Sequence, residues 1–313
     1  MNIMVTGATG FIGQELCRKL VLQHNFVNAL VRSEKMDEPQ LKYFTGSLTD
    51  KASLKKCMLG VDCIVHLAGR AHILKDQADD PIVEFRKVNV EATMVLASVA
   101  KELAIKRLVF ISSIGVNGSE TVMVPFNEKS IPKPNTPYTL SKLEAENGLV
   151  ELLGMSDTDL VIIRPPMVYG TCAPGNFARL LKIVSLGIPL PFGSVKNKRS
   201  LISLSNLVDF IILCTSHPQA AGEIFLVSDG EDLSVSEIIG SLNEGMKGEL
   251  KIFPFPSILL KFMASCLGKS NVYQQLCCSL VIDSRKARSY LGWTPKLDTA
   301  SSLRLVGSEY KGK

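Results

Sequence analysis

Metal-binding pairs are missing from this sequence. Its eight cysteines form no Cys-x-x-Cys pair to which a histidine could be added, so no zinc or cluster site is expected. The cysteines read instead as reduced, mostly buried residues of a cytoplasmic protein. Long apolar runs are missing too. The most apolar stretches, Leu207 to Cys214 and Ile252 to Leu267, are short or are broken by Pro254, Pro256 and Lys261, and neither has the length and continuity of a membrane span. The chain enters a glycine run after a few residues, so no secretory signal is expected. Aromatic residues make up 6% of the chain and few accompany its one basic cluster, Lys196, Lys198 and Arg199, which argues against a nucleic-acid partner. That cluster reads equally well as a solvated loop or as a phosphate-binding patch on a chain of net charge +5. Repeats and low-complexity segments are absent.

What is present is a large apolar fraction. With 46% hydrophobic and 21% charged residues over 313 positions, the chain can bury a sizeable core in one large domain or two modest ones. Short apolar runs at Ile3 to Val5, Val27 to Val31, Cys63 to Leu67, Leu108 to Ile111 and Leu160 to Ile163 read as buried strands. Helical patterns lie between them, at Phe11 to Gln23, Asp50 to Leu59, Pro81 to Leu103 and Pro137 to Leu153. Such alternation predicts an α/β fold, a doubly wound parallel sheet of Rossmann type. Residues 1–170 form the dinucleotide-binding domain in this reading, with 199–217 returning to it. Residues 171–198 and 218–313 form a smaller substrate-binding lobe, where a strand at Glu223 to Val227 is also expected.

The stretch "MVTGATGFIGQEL" places Gly7, Gly10 and Gly13 three apart, where the first strand gives way to a helix. Gly7 permits the sharp turn, Gly10 lets backbone approach a pyrophosphate, and Gly13 lets the helix pack tightly on the strand. The helix N-terminus then offers unpaired N–H groups to the phosphates. Tyr138 and Lys142, four apart behind Pro137, project from one helix face. An ammonium there stabilises a phenolate and brings its pKa down toward a useful value.

The glycine spacing resembles that of the extended short-chain dehydrogenase/reductase family, the nucleotide-sugar epimerases and dehydratases. "HLAG" at His66 to Gly69, "VNVEAT" around Asn89, "SSIGVNG" at Ser112 to Gly118, "YTLSK" at Tyr138 to Lys142 and "RPPMVYG" at Arg164 to Gly170 follow in the family's order, and "YLGWTP" at Tyr290 to Pro295 resembles its C-terminal signature. The resemblance implies that Ser113, Tyr138 and Lys142 are catalytic, with Tyr138 as acid or base and Ser113 holding the same oxygen. It implies cofactor contacts from Gly7, Gly10, Phe11, Ile12, Gly13, Leu67, Ala68, Gly69, Asn89 and Pro165, and from Tyr138 and Lys142 themselves. A homodimer paired through the Tyr-x-x-x-Lys helix is implied as well.

Departures from the family pattern narrow the reaction. Ile114 and Gly115 stand where the 4,6-dehydratases resemble one another in acidic residues, so dehydration is not expected. At the end of the second strand Val31 takes the place of the usual ribose-binding carboxylate and Arg32 follows it, which favours NADP(H) while leaving NAD(H) open. Ser47 replaces a common aspartate near the adenine, shifting those contacts toward Leu48. Met167 replaces an asparagine of the Arg-Pro-x-Asn stretch. Together with "GRAH" at Gly69 to His72 and "PLPFGSVKNKRS" at Pro189 to Ser200, the whole resembles polysaccharide-cluster proteins, either UDP-glucose 4-epimerase-like or forming UDP-N-acetylquinovosamine by 4-keto reduction. Arg32 tilts that choice toward reduction of a UDP-4-keto-6-deoxy-N-acetylhexosamine for O-antigen synthesis, with 4-epimerisation of UDP-glucose or UDP-N-acetylglucosamine as the alternative. Asn176 and Arg199 are the expected contacts to the UDP diphosphate. A non-catalytic NADP-binding regulator and a steroid or flavonoid dehydrogenase are the remoter readings. The 252–267 stretch leaves room for a lipid-linked substrate, against a plain packed helix.

Overall fold

The computed structural model of the chain describes residues 1–71 and 80–310. Of the sequence motifs, His72 of "GRAH" lies outside them. The first half alternates as β1 (Asn2–Thr6), α1 (Phe11–Leu22), β2 (Phe26–Val31), β3 (Leu41–Thr45), α2 (Lys51–Met58) and β4 (Cys63–His66). Then come α3 (Pro81–Arg86), a wide π-turn at Lys87–Glu91, α4 (Ala92–Glu102), β5 (Arg107–Ile111), α5 (Pro137–Leu153) and β6 (Asp159–Arg164). The second half holds β7 (Met167–Tyr169), α6 (Asn176–Ser185), β8 (Leu201–Ser203), α7 (Leu204–Ser216) and β9 (Ile224–Leu226). It ends with α8 (Val235–Gly245), α9 (Ser257–Cys266), α10 (Ser270–Cys277), α11 (Arg285–Leu291) and α12 (Thr299–Glu309).

Among the described residues seven strands form one parallel sheet in the order β3-β2-β1-β4-β5-β6-β9. This is the Rossmann-type α/β fold. Its strand order reverses between β1 and β4, and a crevice therefore opens beyond their carboxyl ends, where such sheets bind ligands. One face of the sheet packs Leu16, Cys17 and Leu20 of α1 with Leu207, Phe210 and Ile211 of α7. The other packs Leu54 of α2, Leu96 and Ala100 of α4, and Ala145 and Leu149 of α5. A third core, of α6, α8 and α12 side chains, belongs to the smaller lobe.

Three expectations need correction. The strand at Ile224–Leu226 is the sheet's edge, paired in parallel with β6, rather than part of the lobe; without it β6 would expose a row of unpaired backbone groups. Leu291 and Trp293 follow it into the sheet's core, Trp293 lying 5.1 Å from the Phe210 ring. The helix expected over 81–103 is interrupted by the π-turn, and β3 is an additional strand, half-exposed at the edge. The segment at Leu201 starts as a strand of a separate two-stranded sheet with β7 before α7 packs on the main one. The lobe is tied there by Asp229, buried, which accepts hydrogen bonds from Tyr169 Oη at 2.6 Å, the Ser203 N–H at 2.9 Å and Asn206 Nδ2 at 2.7 Å.

His66 ends β4 fully buried, sharing hydrogen bonds with Thr6 at 2.7 Å and Thr93 at 2.8 Å. Loss of solvent, and secondarily the Lys142 charge, bring its pKa down to about 3. Between pH 3 and 6.5 the unfolded chain thus binds a proton that the folded one refuses, and stability falls as pH falls through that window. From pH 6.5 to 5, above the range of ordinary carboxylates, the loss attributable to His66 is about 2 kcal/mol. Denaturant midpoints across that range should show it in the wild type and a flatter profile in His66→Asn; the same slope in both would remove His66 as the cause.

Candidate active site

The glycine run forms the turn from β1 into α1. Gly7 has φ +69° and its backbone lies so close to the end of β4 that a Cβ would fall 2.8 Å from the Ala68 nitrogen. Only glycine meets both conditions. Gly10 donates to the Gly7 carbonyl at 2.9 Å and begins α1 with no side-chain cap. The close approach at Gly13 is to the turn itself: a Cβ there would stand 2.1 Å from the Gly7 oxygen. Phe11 reaches toward Gly170 and the lobe core, whereas Ile12 packs into the sheet's core.

At the switch point the ends of β1 and β4 are therefore in contact, and the expected cofactor residues gather around them. Leu67 and Ala68 are half-buried, and the Ala68 N–H donates to Thr6 Oγ1 at 3.2 Å. Asn89 sits buried in the π-turn, a device frequent at functional sites. Its Oδ1 accepts from the Arg70 N–H at 2.7 Å, and its Nδ2 donates to Ser141 Oγ at 2.9 Å and to the Arg70 carbonyl at 3.1 Å. A Cβ on Gly69 would lie 3.1 Å from Asn89 Oδ1 and 3.5 Å from Lys142 Nζ. Pro165 is buried and its carbonyl accepts from Ile114 at 2.9 Å. Val31 is buried and Arg32 exposed at the end of β2, with Leu48 half-buried nearby in sequence against the α2 side of the core.

Helix α5 starts with a reciprocal cap between Thr136 and Thr139 and with Pro137 in its first turn, which fixes where Tyr138 and Lys142 point. Tyr138 is half-buried, its ring edge-on to Phe85 at 6.1 Å. Ser113, just past β5, stands close enough to the phenol to lower its pKa and accepts from the Gly115 N–H at 3.1 Å. The ammonium of Lys142 is buried, donates to the Ile111 carbonyl at 2.9 Å and lies 4.5 Å from the Phe110 ring centroid. Lys142 thus stands beside Gly69, just past β4, with Tyr138 one turn earlier on the same helix.

Their electrostatics differ from the expectation. Burial pushes the Tyr138 phenol up to about 12, with the Ser113 hydroxyl pulling the other way. Burial likewise brings Lys142 down to about 8, opposed by the Glu146 carboxylate one helical turn on. Desolvation sets the direction for both groups, and the expected lowering of the tyrosine by the lysine is not among the influences on the phenol.

Two residues that sequence reasoning missed hold this arrangement. Arg164, at the end of β6, donates to Glu146 through Nη2 at 2.5 Å and Nε at 3.0 Å, both groups being buried, and to Asn117 Oδ1 at 3.1 Å. Glu146 also accepts from Ser112. The available signals were a strand of apolar residues ending in arginine and a carboxylate four residues after the lysine.

The lobe brings the expected diphosphate contacts to α10. Asn176 meets Gln275, Arg199 Nη1 donates to the Cys278 carbonyl at 2.8 Å, and Gln274 reaches Ser119 Oγ at 3.1 Å, beside the loop that follows Ser113. Of the basic cluster Lys196 and Lys198 are exposed, but Arg199 is 8% exposed, its Nε has no partner, and burial brings its pKa down to about 10. Among the described residues no carboxylate pairs with it and no group of three His, Cys, Asp or Glu is placed to hold a metal.

Residues 3–228 match the model of the NAD dependent epimerase/dehydratase family. The chain belongs to that family. It is 39% identical over 297 residues to a UDP-glucose 4-epimerase of Vibrio cholerae, covering 94% of this chain and 90% of that protein. It is 26% identical over 310 residues to an N-acetyl-α-D-glucosaminyl-diphospho-ditrans,octacis-undecaprenol 4-epimerase of Escherichia coli O157:H7, covering 92% and 89%. In fold it is similar to MoeE5 in complex with UDP-glucuronic acid and NAD, with a TM-score of 0.77 and 22% identity over 97% of this chain and 96% of that one. The family's match ends just after β9, at the boundary that the sheet itself sets.

Removing Glu146 strands the Arg164 guanidinium in the core. Glu146→Leu should therefore cost about 3–5 kcal/mol of stability in denaturant titrations; a loss under about 1 kcal/mol would show that the pair is dispensable.

Proposed function

We propose that the protein moves hydride at C4 of a UDP-hexose. The observation that carries this reading is Tyr138 and Lys142 one turn apart on α5, with Ser113 close to the phenol and Lys142 beside Gly69 at the sheet's switch point. The likeness to a named UDP-glucose 4-epimerase over nearly the whole chain favours C4 epimerisation. The second reading, reduction of a UDP-4-keto-6-deoxy-N-acetylhexosamine for surface polysaccharide, draws on Val31 and Arg32, since a reductase must exchange its cofactor and draws on the NADPH pool.

The residues fit a nicotinamide dinucleotide. Gly7 leaves no Cβ in the turn, α1 begins uncapped with no acidic residue in its first turn, and Asn89 and Lys142 converge on Gly69. The backbone of Gly10 to Gly13 would face its pyrophosphate, Leu48 and Leu67 to Gly69 its adenosine half, Asn89, Tyr138, Lys142 and Pro165 its nicotinamide half, and Arg32 a 2′-phosphate. When bound, the dinucleotide supplies or takes up the hydride. Tyr138, protonated through neutral pH, gives its proton to a ketone oxygen in the reducing direction and takes one from a hydroxyl in the other. Ser113 holds that oxygen while charge develops, and the ammonium of Lys142 on the same helix face stabilises the phenolate. Arg199, a buried cation with an idle Nε, is completed by a phosphate oxygen of the substrate, and Asn176, at the start of α6, meets the same helix α10 through Gln275. A homodimer through α5 and a cytoplasmic site of action belong to the same reading.

Tyr138→Phe should bind dinucleotide normally and turn over about a hundredfold to ten-thousandfold more slowly; near-normal turnover would remove Tyr138 from the chemistry. Dissociation constants measured by fluorescence should be about tenfold lower for NADP(H) than for NAD(H), a preference lost in Arg32→Ala. Equal constants in the wild type would count against the reductase reading.

A further inference from the structure

Helix α9 is inside out for a helix facing water. At 100° per residue, Leu260 and Ala264 face the protein and are half-buried, with Leu260 against the lobe core. On the opposite side stand Ile258, Leu259, Phe262 and Met263, exposed by 79, 49, 67 and 51%. Leu267, just past the helix end, and Phe253, before its start, are exposed as well. A surface helix normally turns its apolar stripe to the core. Here the outward stripe is the apolar one, and no residue of the helix is buried.

The segment that carries the stripe has charge of one sign. From Leu250 to Ile282 the chain carries Lys251, Lys261 and Lys269 and no aspartate or glutamate, and all three lysines are exposed. A two-fold contact between copies through α9 would set Lys261 against its own image with no carboxylate in the segment to answer it. A surface of anionic headgroups answers all three. The helix has ten residues, about 15 Å, which is half the thickness of a bilayer core. It can lie along a membrane and cannot cross one.

We infer that α9 docks the protein on an anionic lipid bilayer, with Ile258, Leu259, Phe262 and Met263 at the acyl boundary and the lysines among the headgroups. The helix is joined to α10 through Tyr273 Oη, which donates to the Ser257 carbonyl at 3.2 Å. Through α10, whose C-terminal end meets Asn176 and Arg199, the docked face stands one helix away from the candidate diphosphate site. The inference does not depend on which reaction that site performs.

The test is flotation of the full chain with vesicles, either of phosphatidylcholine alone or of equal parts phosphatidylcholine and phosphatidylglycerol. The wild type should float with the anionic vesicles and little with the neutral ones. Ile258→Ser with Phe262→Ser should lower flotation by at least about tenfold, given the apolar area removed, with far-ultraviolet circular dichroism unchanged. Lys261→Glu, which leaves the apolar face intact, should lower flotation on anionic vesicles alone. Absence of wild-type flotation on anionic vesicles would overturn the inference. So would a double serine variant that floats like the wild type but sediments as a smaller assembly, which would make the face a contact between copies.

Discussion

One buried positive charge organises the centre of this protein. The Lys142 ammonium has been taken out of water and held on the Ile111 carbonyl, over the Phe110 ring, an arrangement that costs several kcal/mol unless neighbouring groups compensate. Glu146 is the compensating charge one turn along α5, and it is fixed by Arg164 from β6 and Ser112 from the end of β5. Strands β5 and β6 and the helix that crosses between them are thereby tied together. Tyr138 and Ser113 inherit their positions from that lock, Tyr138 as a neighbour on the helix and Ser113 as the residue after Ser112.

The second constraint is steric. Because Gly7 meets the backbone of Leu67 and Ala68 with no room for a Cβ, the carboxyl ends of β1 and β4 close on each other, and the uncapped N-terminus of α1 faces the crevice. Charge and shape then converge from opposite sides. The lysine approaches Gly69 from α5, and Asn89 approaches it from the π-turn. The lobe adds a further buried cation, Arg199, which donates to the Cys278 carbonyl at the end of α10, the helix that meets Ser119 through Gln274.

The parts of this plan that depend on local spacing were legible in the sequence. Glycines three apart after a short strand, and a tyrosine and lysine four apart behind a proline, carry their geometry with them. The Arg164 and Glu146 pair was not legible, because its partners belong to different elements and only the sheet brings them together. Strand β9 was legible as a strand, but its parallel pairing with β6 was not, because a local apolar run does not say which sheet it joins. Arg199 was picked out by its charge, but its burial and its idle Nε arise from β-type pairing with Leu233 and Leu280. The phenol's upward shift was also hidden, since spacing reports the neighbouring ammonium and says nothing of the water excluded around both.

The central claim is hydride movement at a sugar C4 by this site. The measurement that tests it most directly is proton NMR of UDP-glucose and UDP-N-acetylglucosamine incubated with the purified protein and oxidised dinucleotide, with nicotinamide absorbance followed alongside. The account predicts that one of the two sugars passes into its C4 epimer until equilibrium, with no net reduction of the dinucleotide. A protein that binds dinucleotide yet leaves both sugars unchanged, and leaves NADPH unspent on a UDP-4-keto-6-deoxy-N-acetylhexosamine, would contradict it.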